Sequence, residues 1–338
     1  MRSEAELDEA LTRPSETLIE SLSDLDGDLV VLGAGGKMGP SLVRLARRAM
    51  VEAGLSSRVI AVSRFGSGDT AERLSAEGVE VIRADIGDER DLDRLPEAAN
   101  VVYMAGAKFG TTGNEHRTWH ANSYLPGRIA ERYRGARIAA FSTGNVYPLV
   151  PVHSGGATEA TRPGPLGEYA MSCLGRERLL EHASVTFGTR VVLLRLNYAI
   201  DLRYGVLLDI ARRVRDGEPV DVSMGCVNVC WQGWANEVAL RALHLAAVPA
   251  VSLNVTGPET VSVRHLAEAF GARLGVEPLI VGEESGSALL SDATEAHRLF
   301  GYPTVALGRL VDWTAEWLRS GAPVWDKPTK FERRDGSY

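Results

Sequence analysis

The chain has 338 residues, 45% hydrophobic and 24% charged, enough apolar content to bury a large core without staples. Its 37 basic and 44 acidic residues are interspersed and leave a net charge of -7, which argues against nucleic acid as a partner. Cys173, Cys226 and Cys230 cannot frame a disulfide-built fold, no apolar run of about 18 residues could span a membrane, and the acidic start lacks a signal core, so a cytoplasmic protein is expected.

Residues 1–27 read as a helical arm, with Pro14 suited to a first turn and Leu18, Ile19, Leu22 and Leu25 at helical spacing. From Asp28 onward, short apolar runs at 29–32, 59–62, 79–82, 101–104, 138–141 and 191–194 alternate with amphipathic helices. Consecutive apolar positions suit strands covered on both faces. Repeated strand-helix alternation predicts an α/β fold, a doubly wound, Rossmann-like parallel sheet over residues 28–197. Weaker strands at 220–222, 227–230, 252–255 and 279–281, with helices near 205–215, 235–247, 262–274 and 307–319, predict that residues 198–323 form mainly a smaller α/β substrate lobe. The charged segment 324–338, with Pro328, is expected to lie on the surface or on a partner subunit. Only four of the basic residues are lysines: Lys37, Lys108, Lys327 and Lys330.

The first strand runs into Gly33, Gly36 and Gly39, with Lys37 and Met38 between the last two, and then into a helix. Glycines there permit a tight turn, close approach of a pyrophosphate and close helix packing, while the helix N-terminus offers N–H groups to an anion. The Gly-x-x-Gly-x-x-Gly spacing resembles the extended short-chain dehydrogenase/reductases, specifically the NAD(P)-dependent sugar epimerase/dehydratase family. Ala84-Asp85-Ile86 is similar to that family's adenine contact, and Phe141-Ser142-Thr143-Gly144-Asn145-Val146-Tyr147 to its Ser-Ser-x-x-Val-Tyr segment. Thr158-Glu159, Pro163 and Tyr169 resemble the approach to its catalytic tyrosine, and residues 253–263 its entry into a substrate-lobe helix.

The resemblance covers nearly all of the chain after residue 28. It implies a nicotinamide dinucleotide contacted by Gly33, Gly36, Lys37, Met38, Gly39, Asp85, Ile86, Met104, Ala105, Gly106, Tyr169 and Cys173. It further implies proton chemistry by Tyr169 with Thr143, a small sugar-like substrate near Asn145 and Asn197, and a homodimer joined through helices 116–134 and 169–186.

Two departures stand out. The family places a lysine four residues after the tyrosine, on the same helix face; here that residue is Cys173. A phenol of pKa near 10 is about one part in a thousand ionised at pH 7, a gap of roughly 4 kcal/mol. One cation about 4 Å away, at an effective dielectric of about 20, closes it, and a neutral thiol does not. Either another cation substitutes, or Tyr169 only donates a hydrogen bond, or the dinucleotide is bound without proton chemistry. Lys108 is the candidate cation because 104–108 follow the fourth strand, whose carboxyl end opens into the ligand cleft; a solvated surface lysine is the plain alternative. Arg176, two helical turns or roughly 10 Å along the axis from Tyr169, is expected to reach poorly.

The second departure is Cys230, which occupies the arginine slot used for nucleotide-sugar diphosphates. A typical nucleotide-diphosphate sugar is therefore not expected; Trp231 and Trp234 are candidates to stack on a sugar face, with buried packing expected for at least one of them, and Arg203 is a candidate to bind an anion. The second strand ends in Ser63-Arg64, where NAD-preferring relatives carry an acid, so NADP is expected over NAD, with Asp69 in the next loop as the competing acid. Cys226 and Cys230 lack a histidine pair, His116 and His120 lack a third ligand, and His153 is read as a loop residue, so no metal is expected. An enzyme is the leading expectation, and a non-catalytic NAD(P)-binding sensor or scaffold the alternative.

Overall fold

The computed structural model describes residues 1–66, 68–108 and 113–337. A strand with apolar side chains at every position needs cover on both sides, and β1 (Leu29–Leu32) has it. Leu29 and Val31 enter one core and Val30 and Leu32 another, all four shielded from water. β2 (Val59–Ser63), β3 (Glu80–Arg83), β4 (Asn100–Tyr103), β5 (Arg137–Thr143), β6 (Arg190–Leu196) and β7 (Val251–Val255) complete a parallel sheet in the order β7-β6-β5-β4-β1-β2-β3. The chain leaves β1 toward β2 and β3, then returns to the other side of β1 with β4. That reversal opens a crevice at the carboxyl ends of β1 and β4.

All six predicted runs are strands of this sheet, but β7 corrects the expected boundary. Residues 252–255, expected in the smaller lobe, pair with β6 from Val251↔Val192 to Val255↔Leu196. Periodicity identifies a strand and says nothing of which neighbour it will find. The lobe retains small pairings of Val220–Asp221 with Ile280–Val281 and of Cys226–Val227 with Val261–Ser262.

The arm forms two helices, α1 (Glu4–Thr12) and α2 (Glu16–Ser23), separated at Pro14 and capped by Ser3 and Ser15. Leu7, Leu11, Leu18 and Leu22 are fully buried, each contributing about 1.5–3 kcal/mol by the scale for apolar side chains. Arg48 on α3 (Gly39–Glu52) donates to Glu9 at 2.7 Å, and holds that carboxyl down at about 2. The arm is therefore an integral layer of the domain.

The C-terminal segment runs over the surface and is anchored into the body at a few points: Trp325 N–H donates to Arg203 O at 2.8 Å, and Thr329 donates its N–H and hydroxyl to Asp209 at 2.6 and 2.5 Å. Phe331 is buried, and Arg334 donates to the backbone and hydroxyl of Ser287 at 2.6 and 2.8 Å. Gly336 lies so close to Gly167 (φ +78°) that a Cβ on Gly167 would stand 2.4 Å from its carbonyl oxygen. The tail thus abuts the start of the helix Gly167–Phe187 that carries Tyr169.

Candidate active site

The cleft begins at the turn after β1. Gly33 has φ +91°, and a Cβ there would fall 2.7 Å from the Ala105 nitrogen, so only glycine lets β1 and β4 lie this close at their ends. Gly36 N–H closes the turn on Gly33 O at 3.0 Å, and α3 starts at Gly39. Two chambers meet here, sharing Gly33, Gly36 and residues 104–107. The larger, about 860 Å³, is lined by Ser63, Arg64, Asp85 and Ile86; the smaller, about 410 Å³, by Met38, Gly39, Lys108, Thr143, Asn145, Tyr169 and Asn197. A long cleft with a tight glycine turn at its waist and a helix N-terminus beside it matches the shape and charge of a dinucleotide.

Thr143 ends β5, and its side-chain oxygen accepts the Asn145 N–H at 3.2 Å. Tyr169, on the first turn of its helix, is hydrogen-bonded to Thr143. Burial pushes its phenol well above the ordinary value of 10; Cys173 adds to the rise, while Arg176 and the Thr143 hydrogen bond act against it. Lys108 is brought to the same place, its ammonium 5.7 Å from the Tyr169 ring centre. Burial lowers its pKa to about 8.

Cys173 lies fully buried under the cleft beside Val146, Tyr147 and Ala157, with its thiol hydrogen-bonded to Tyr169. Its thiol is pushed up by burial and stays neutral. Three expectations need correction. Arg176 does reach the chamber. Helical side chains lean toward the N-terminus, and its guanidinium donates to Asn122 at 3.2 and 3.1 Å and to Phe141 O. Arg203 is clamped by Asp201 at 2.8 Å and by Asp8 of the arm at 3.1 Å and is not part of the lining. Trp231 packs edge-on against Trp313, ring centres 5.7 Å apart, and opens toward the arm; the next residue, Gln232, faces the chamber instead.

Other candidates fall as follows. Lys37, read as part of the phosphate turn, extends into the smaller chamber with its ammonium 3.2 Å over the Tyr204 ring. Arg64 follows Ser63 in the larger chamber, 3.7 Å from Asp85, and Asp69 stands at the start of the helix Thr70–Ala76. His116, His120 and His153 are exposed, and among the described residues no group of His, Cys, Asp or Glu could hold a metal ion. No helix of the described residues is long and apolar enough to cross a membrane.

Beneath the chamber a buried network ties the elements together. Ser142 donates to Glu177 at 2.6 Å, Arg195 donates to both Glu177 oxygens at 3.0 and 2.7 Å and to Tyr147 at 2.8 Å, and Tyr147 donates to Asn254 at 2.8 Å. It links β5, β6, β7 and the Tyr169 helix, and so fixes Thr143 against Tyr169.

A sequence model described as the NAD dependent epimerase/dehydratase family matches residues 29–222, more than half of the chain. A search of curated proteins finds no match. Among solved structures the fold is similar to Pal from Bacillus thuringiensis, at 18% identity and TM-score 0.71, over 87% of this chain and 99% of that one. It is similar to UDP-glucose 4-epimerase from Thermus thermophilus in complex with NAD, at 20% identity and TM-score 0.70, over 86% and 99%. Bacillus cereus UDP-glucuronic acid 4-epimerase in complex with NAD gives 18% identity and TM-score 0.69, over 86% and 96%.

Proposed function

The chain belongs to the NAD-dependent epimerase/dehydratase family, and from that premise we propose that it is an NAD(P)-dependent oxidoreductase or epimerase/dehydratase-like enzyme. Its substrate is a sugar-like hydroxyl or carbonyl compound other than a typical nucleotide-diphosphate sugar. The observation that carries this reading is the convergence of Thr143, Tyr169 and Lys108 on one chamber whose other end is the glycine turn. The turn and the helix behind it would hold the pyrophosphate, and the bound nicotinamide supplies hydride transfer.

The chain's own part is proton management. Tyr169 is held as a phenol by burial, so it enters as a hydrogen-bond and proton donor to the substrate oxygen, with Thr143 sharing that oxygen. Arg176 acts on the phenol and Lys108 lies 5.7 Å from its ring centre; together they would stabilise a phenolate, the work of the lysine that Cys173 replaces. Ser63 with Arg64 favours NADP over NAD, because a guanidinium at that point attracts a 2′-phosphate. The chain acts as a homodimer through the helices near 116–134 and 169–186. The second reading, a sensor that binds the dinucleotide without turnover, draws on Cys173 in the lysine slot.

The test is a screen of free sugars, sugar acids and nucleotide sugars, read by absorbance of the reduced nicotinamide. Tyr169→Phe is expected to cut turnover by about two to four orders of magnitude with dinucleotide affinity unchanged. Full activity in that variant ends the tyrosine mechanism, and binding without turnover across the screen favours the sensor. Isothermal titration of both dinucleotides decides the cofactor: equal affinity, or tighter NAD, ends the NADP assignment.

A further inference from the structure

Although the chain carries an excess of acid, the smaller chamber is lined, among the described residues, by three cations, Lys37, Lys108 and Arg176, and by no carboxylate. The other two lysines of the protein are on the tail, Lys327 exposed and Lys330 half-buried. Trp325 is bonded to Arg203 and Thr329 to Asp209, so the segment between them passes the Tyr204 ring on which the Lys37 ammonium rests. Trp325 itself lies 6.5 Å from that ring. Thr329 is part of the chamber wall, with Lys330 next to it.

The charges feel one another. Burial first, then Lys327 and Lys108, bring Lys37 down to about 7; Lys330 likewise acts on Lys108. Among the described residues Asp209 is an acid acting on both; its carboxyl is buried, bonded twice by Thr329 and itself pushed up. Around Asp209, Arg213 is paired with Glu332 at 3.1 Å. Crowding ammonium groups into a half-buried chamber is unfavourable in the ligand-free chain, and an anion relieves it. A pyrophosphate at the turn is met by backbone N–H groups, whereas the Lys37 side chain leaves the turn for the Tyr204 ring on the tail side of the smaller chamber.

Resting on the reading above, we infer that the substrate carries a carboxylate or phosphate group, held at the tail end of the chamber by Lys37, Lys327 and Lys330. This assigns the C-terminal segment a binding role and makes neutral sugars poor substrates.

The test uses the full chain saturated with dinucleotide, titrated calorimetrically with inorganic phosphate, acetate and, as neutral control, methyl glucoside. Phosphate or acetate is expected to bind with proton uptake at about pH 8, visible as a heat that depends on the buffer, because the anion returns the lost proton to Lys37. Lys37→Met should abolish that uptake, and Lys327→Met with Lys330→Met should weaken the anion by about tenfold while leaving the dinucleotide unchanged. Tighter phosphate than acetate indicates a phosphorylated substrate, and the reverse a carboxylated one. Absence of anion binding, or equal binding in wild type and both variants, overturns the inference, as does a Lys37→Met protein that loses dinucleotide and keeps phosphate. A wild type that binds no dinucleotide refutes the proposed function instead, and the difference between wild type and variants with phosphate alone still decides the anion site.

Discussion

The floor and the roof of the cleft handle charge in opposite ways. In the floor, Glu177 and Arg195 are almost wholly removed from water, yet each carboxylate oxygen of Glu177 accepts from Arg195 and one also from Ser142. In the roof, Lys37 and Lys108 are half-buried and act on one another and on the tail lysines, with the buried carboxyl of Asp209 acting on both. A paired buried charge holds elements in place and is costly to break; charges of one sign weaken the resting fold and are kept for what they bind.

Breaking the floor gives the largest expected effect on stability. Arg195→Met leaves Glu177 buried without its partner and is expected to cost about 3–5 kcal/mol in urea unfolding. The double variant Arg195→Met with Glu177→Leu removes both charges and should lose distinctly less. If the single variant costs under about 1 kcal/mol, the floor is not a paired structure.

The roof should respond in the opposite sense, and through pH. Lys37 and Lys108 have folded pKa values of about 7 and about 8, below the ordinary 10.5 of the unfolded chain. Between those values the unfolded state binds more protons than the folded one, so the stability of the ligand-free protein rises as pH increases through the window. Lys37→Met with Lys108→Met should therefore raise the melting temperature most at about pH 6.5 and least at about pH 10, flattening the wild-type slope. A variant with the same slope as wild type would dissociate these lysines from it. The catalytic counterpart is a fall in turnover above about pH 8 that follows Lys108 and is absent in Lys108→Met.

Much of this is legible in the sequence where local chemistry decides the outcome. Strands covered on both faces must be apolar throughout, so β1, β2 and β4 announce themselves, as does the glycine turn. Thr143 and Tyr169 can be found because each sits at a fixed offset from a strand end or a helix start. The misses occur where a distant residue decides. Arg203 reads as an anion ligand until Asp8, far away in the sequence, takes it, and Trp231 reads as a sugar platform until Trp313 covers it. The tail carries no periodicity, and its place depends on Asp209 and on space beside Gly167. Arg176 is out of reach on axial distance alone, a measure that ignores the length and lean of the side chain.

The helix Gly167–Phe187 extends the comparison to a third surface. Its inner side supplies Tyr169, Cys173, Arg176 and Glu177, whereas its outer side leaves Met171 44%, Leu179 38% and Val185 70% exposed, next to Trp119 and Tyr124 of the neighbouring helical segment. A run of apolar side chains on two adjoining helices is a liability in a monomer and a suitable face for an isologous dimer. Light scattering at micromolar concentration is expected to give about twice the 36.4 kDa of one chain. Met171→Glu with Leu179→Glu should return it to the monomer mass, since burying two unpaired carboxylates is unfavourable. The effect on turnover should be the smallest of the series, because neither side chain faces the chamber. A wild type at the monomer mass overturns the dimer, and a dimeric double variant moves the interface elsewhere. Loss of activity equal to that of Tyr169→Phe would mean that the partner copy holds the inner side of this helix in register.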